Sequence, residues 1–65
     1  MTLEQAKNLQ KGDIVIGPNF GFEYTVLSAD FWALVNGAER LVVKLVGAGR
    51  TRITEKNYEE WKVKE

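Results

Sequence analysis

A chain of 65 residues with 45% apolar and 28% charged side chains has the composition of one small folded domain rather than a disordered segment. Nine basic residues balance nine acidic ones, so no overall field gathers nucleic acid, and the lack of cysteine and histidine excludes disulfides and thiolate or imidazole zinc sites. No apolar run approaches the roughly 20 residues that cross a bilayer.

Met1-Thr2-Leu3-Glu4-Gln5 is unlike an export signal, so a cytoplasmic protein with no membrane partner is expected. A domain of this size buries only about 60% of its unfolded surface. Extra stability must come from dense packing or self-association.

Thr2-Leu3-Glu4-Gln5 matches a capping box, and Leu3, Ala6 and Leu9 form a short apolar stripe. A short helix over residues 2–10 is expected, with Gly12 closing the turn in a left-handed conformation. Gly12 to Pro18 then reads as a strand between breakers, with Ile14 and Ile16 on one face. Asn19-Phe20-Gly21 is a turn. Phe22 to Ser28 is β-prone, with Phe22, Tyr24 and Val26 on one side and Glu23, Thr25 and Leu27 on the other.

Phe31 to Val35 is expected to be a strand ended by the Asn36-Gly37 turn; the alternative is a helical turn capped by Asp30. Arg40 to Val46 alternates strictly, with Leu41, Val43 and Leu45 inward. A tight loop, Gly47-Ala48-Gly49, then sets Val46 opposite Arg50, Lys44 opposite Arg52, and Val43 opposite Ile53. Thr54 is placed to cap a helical turn, Tyr58 and Trp61 to close one end, and Lys62-Val63-Lys64 to form an edge strand.

The order of these elements resembles an SH3-like small β-barrel. Gly49 to Val63 looks like the strand, helical turn and strand that finish such barrels, and Lys11-Gly12-Asp13-Ile14-Val15 like the start of their first strand. The resemblance implies a mainly β fold: a single domain over residues 1–65, with about five strands in a barrel over 12–65, a short N-terminal helix and a helical turn before the last strand. It does not extend to the acidic loop and aromatic groove of the peptide-binding SH3 family. Small barrels of this kind, including plasmid- and phage-encoded ones, serve unrelated functions, so the architecture implies no activity.

Catalysis is not expected, because the usual proton shuttle and thiol nucleophile are missing and no pair of carboxylates has a spacing that implies acid–base work. A site assembled between subunits would escape this argument. The glycine-containing turns lack P-loop spacing, and no cofactor or metal is expected. Residues 1–37 carry two basic and four acidic side chains, and residues 38–65 seven basic and five acidic.

The sharpest local feature is therefore the outward basic set Arg40, Lys44, Arg50 and Arg52. Cations opposed across a ladder repel unless an anion, an acidic partner or a neighbour such as Glu39 lies between them. Adjacent Phe31 and Trp32 cannot both point inward from a regular strand, so one is a candidate aromatic contact. Val42 and Val46 lie on the outward face, either beneath the N-terminal helix or in an intermolecular interface.

A binding module is the expected class, contacting a protein partner or itself through an apolar and aromatic face. The alternatives are DNA or RNA binding through the basic hairpin 40–52, and a small structural or regulatory subunit.

Overall fold

The computed structural model describes residues 1–64. Thr2 caps α1 (Leu3–Lys7): its hydroxyl accepts the Gln5 amide at 3.1 Å, while its own amide donates to Gln5 Oε1 at 2.8 Å. The helix is shorter than the expected 2–10 span. Propensity alone does not sustain so short an element, and burial of Ala6 and Leu9 holds it in place. Beyond it, the Asp13 carboxylate accepts the Gln10 amide and Gly12 adopts a φ of 96°, turning the chain into the sheet.

Strands β1 (Ile14–Ile16), β2 (Glu23–Ala33), β3 (Glu39–Val46), β4 (Arg50–Thr54) and β5 (Lys62–Val63) form one antiparallel sheet in the order β4-β3-β2-β1-β5. A 3-10 turn at Tyr58–Glu60 precedes β5. The fold is mainly β, with the expected short helix and helical turn. The strands expected over 22–28 and 31–35 are instead one continuous strand, β2, which ends at Ala33 before the Asn36-Gly37 turn. Closure into a barrel is not seen among the described residues, where β4 and β5 are the two edges of an open sheet. A two-residue β5 and cations on both edges limit any extension of the ladder.

The hairpin of β3 and β4 has the anticipated register: Val43 faces Ile53, Lys44 faces Arg52, and Val46 faces Arg50. Two other features were not anticipated. On β1 it is Val15, between Tyr24 and Val63, that enters the core, whereas Ile14 is exposed. On β2 the register slips between Val26 and Ser28, so Leu27 and Ser28 together oppose Lys44 in a β-bulge.

The bulge has a large consequence. Regular alternation from Tyr24 and Val26 would carry Ser28, Asp30 and Trp32 inward. The extra residue instead puts Ala29 and Phe31 on the inner side, opposite Val43 and Leu41, and sends Asp30 and Trp32 outward.

The core lies on one side of the sheet and consists of Ala6, Leu9, Val15, Val26, Leu41, Val43, Leu45, Ile53 and Trp61. Trp61 seals one end with its ring edge-on to Tyr24, centroids 5.2 Å apart, and Tyr58 packs beside it. No helix among the described residues is long and apolar enough to cross a membrane.

Candidate functional site

The outer face of the sheet brings together most of the side chains singled out in the sequence. Cross-strand rows on this face run Trp32–Arg40, Asp30–Val42–Thr54, Ser28–Lys44–Arg52 and Ile14–Thr25–Val46–Arg50. Each row is a set of directly opposed residues, close enough for their side chains to interact. Nothing from the N-terminal helix lies over them. Ala6 and Leu9 belong to the same core as Leu41, Val43 and Leu45, so α1 covers the opposite face from Val42 and Val46. Of the two explanations for those outward valines, coverage by the helix is the one the structure overturns.

The four basic residues do not behave as one set. Arg40 donates from Nη1 to Glu55 Oε1 at 2.8 Å, so its charge is met within the chain, by Glu55 rather than by neighbouring Glu39. That hydrogen bond, with backbone donors at Glu55 and Leu41, holds the Glu55 carboxyl below its ordinary value. Folding therefore favours the ionised form. Its stabilising effect is complete above the unfolded carboxylate pKa and disappears as pH falls through the lower folded value.

Lys44, Arg50 and Arg52 have no acidic partner within ion-pair distance among the described residues. All three are exposed and, with Leu27 and Thr51, line a shallow depression of about 350 Å³. Around them the surface is aliphatic: Ile14, Leu27 and Val46 are 38%, 46% and 37% exposed. Leu27 follows inward Val26 and so faces outward beside Lys44 with or without the bulge, which adds Ser28 to the same row.

The two candidate aromatics part company. Phe31 lies on the inner side and carries the Lys7 ammonium 4.4 Å from its ring centroid, a cation–π contact between α1 and β2. Trp32 faces outward opposite Arg40, four residues along β3 from Lys44, or about 13 Å. Asp30 stands between Trp32 and the basic row.

One prominent residue was read in the sequence only as part of a turn. Phe20 is 93% exposed at the tip between β1 and β2, with a φ of 62°, and touches Phe22 at a centroid distance of 6.0 Å. Its signal was an aromatic in a turn position where glycine or asparagine is usual.

No known protein family, curated protein or solved structure matches this chain.

Proposed function

We propose that this chain is a non-catalytic binding module whose outer sheet face docks a protein surface that is apolar at its centre and acidic beside it. The observation that carries this reading is the pairing of aliphatic Ile14, Leu27 and Val46 with Lys44, Arg50 and Arg52, which meet no acidic side chain among the described residues, on one exposed face. An apolar patch edged by charge has the anatomy of a protein interface. Aliphatic side chains offer no stacking platform for bases, which favours protein over nucleic acid at this spot. A second copy would bring the same cations against themselves, so this face fits a different, acidic partner better than its own image.

Nucleic-acid binding is the second reading, and the directly opposed Lys44 and Arg52 are its support, since bridging phosphates would relieve their repulsion. The strand order and the helical turn before β5 support the SH3-like reading of the architecture, with the sheet opened, and carry no activity with them.

The test compares the wild-type chain with Lys44→Glu/Arg52→Glu as bait in the source cell extract, followed by purified binding to whatever the wild type retains. Under the protein reading, a defined protein binds the wild type directly, and the double variant binds it roughly 10-fold or more weakly. DNA and RNA binding is measured alongside at several salt concentrations. Retention of nucleic acid with a salt slope that falls in the variant replaces the protein reading with the second one.

A further inference from the structure

We propose that the chain pairs with a second copy of itself through the β1–β2 turn, each Phe20 entering the cleft beside the other copy's turn. The contact uses none of the basic row on β3 and β4, so it stands or falls separately from the docking face above.

Phe20 provides the first observation. A bulky residue at a φ of 62° occupies backbone space that L-residues avoid, and here it holds a phenyl ring 93% exposed. The Phe22 ring lies beside it, tilted at 50°. Gly21 follows with a φ of 67°, and the Gly17 amide donates to the Phe22 carbonyl at 2.8 Å, so the turn is tied at its base. Strain at a well-tied tip, together with a large apolar side chain left in water, marks a residue whose environment is completed by something else.

The cleft provides the second. A hollow of about 750 Å³ opens beside the turn, walled by Ile16, Gly17 and Pro18 and rimmed by Glu60 and Lys62. Gly17 contributes backbone to the wall, and it must stay glycine because a Cβ there would press on the Tyr24 ring at 3.0 Å and the Trp61 ring at 3.3 Å. Glu60 and Lys62 are exposed and form no ion pair among the described residues.

Knob and hollow lie next to each other on one molecule, which is the requirement for a two-fold contact in which both are used twice. The rim charges select the same occupant. A cleft with one anion and one cation complements its own rotated image, Glu60 against Lys62 in both directions. A uniformly acidic or basic partner would be attracted at one and repelled at the other. A domain with so small a core also stands to gain from association.

Sedimentation equilibrium of the full chain from about 10 μM to about 1 mM tests this, the upper limit corresponding to a weak but specific contact. The expected result is an average mass rising from 7.4 kDa toward twice that value. Phe20→Asn should weaken the dimer roughly 30-fold or more, as loss of a central anchor does, without lowering the melting temperature, because asparagine accepts the left-handed turn. Glu60→Lys should weaken it roughly 10-fold, and adding Lys62→Glu should restore it.

A monomeric mass across the whole range overturns the proposal. So does a Phe20→Asn chain that dimerises as tightly as wild type, or a charge swap that restores nothing. A dimer broken instead by Lys44→Glu also overturns it and moves self-association to the outer sheet face.

Discussion

The two faces of β3 carry opposite kinds of information although they alternate residue by residue. Leu41, Val43 and Leu45 are each no more than 1% exposed, whereas Arg40, Lys44 and Val46 between and beyond them face solvent. An antiparallel sheet covered on one side must put its packing on that side and is free to use the other. The inner face therefore accounts for folding and leaves the outer one open for recognition. The difference becomes measurable when neighbouring residues are changed and stability and binding are followed separately.

The largest effect is expected at Leu45. Leu45→Ala removes a fully buried side chain and should cost about 2–5 kcal/mol, out of a total of roughly 3–10 kcal/mol for a chain this long. Val46→Ala, one residue on, should stay within about 0.5 kcal/mol. Urea denaturation of both variants checks the contrast. Equal losses would mean that the outer face is also packed, and would remove the surface on which partner docking depends.

A smaller loss is expected at the end of the same strand. A Cβ on Gly47 would sit 2.4 Å from the Glu23 carbonyl oxygen and 2.9 Å from the Tyr24 ring. Neither is the free end of a flexible side chain, so Gly47→Ala should cost about 1–3 kcal/mol. At Gly49 a Cβ would meet nothing, and Gly49→Ala should be close to neutral by the same denaturation measurement. The pair sharpens the comparison. It separates a glycine needed for the close approach of β2 to the β3–β4 hairpin from one that only fills out its loop.

The β3–β4 hairpin was legible residue by residue because two independent signals agreed there: strict alternation on both strands and a three-residue glycine loop that admits one register. The Thr2 box and the turn after Thr54 were legible for a similar reason, being local hydrogen bonds between side chain and backbone.

What the sequence hid was non-local. Whether Val15 or its isoleucine neighbours enters the core depends on which face Tyr24 and Val63 present, and neither follows from a three-residue strand. The bulge at Leu27 leaves no composition mark, yet it decides that Trp32 looks outward and Phe31 lies under Lys7. The candidate site was half legible. Lys44 and Arg52 were found with their pairing, while the neutralisation of Arg40 by Glu55 depends on a contact fifteen residues apart.

The smallest predicted effect bears most directly on why the basic row exists. Lys44 and Arg52 are directly opposed on an exposed ladder, where like charges are unfavourable by about 0.2–1 kcal/mol and opposite charges favourable by a similar amount. Lys44→Glu should therefore stabilise the free chain by a few tenths of a kcal/mol or more, and so should Arg52→Glu. Making both changes sets two carboxylates face to face and should abolish the gain, a coupling that a double-mutant cycle isolates. At about 1 M salt, where screening acts within about 3 Å, the coupling should shrink toward zero. A stability gain combined with weaker partner binding would mean that the cations are held at a cost to the fold for the sake of a contact. If Lys44→Glu instead destabilises the chain, the long side chains already escape one another into solvent. The row would then be ordinary surface charge, and the apolar patch alone would have to carry recognition.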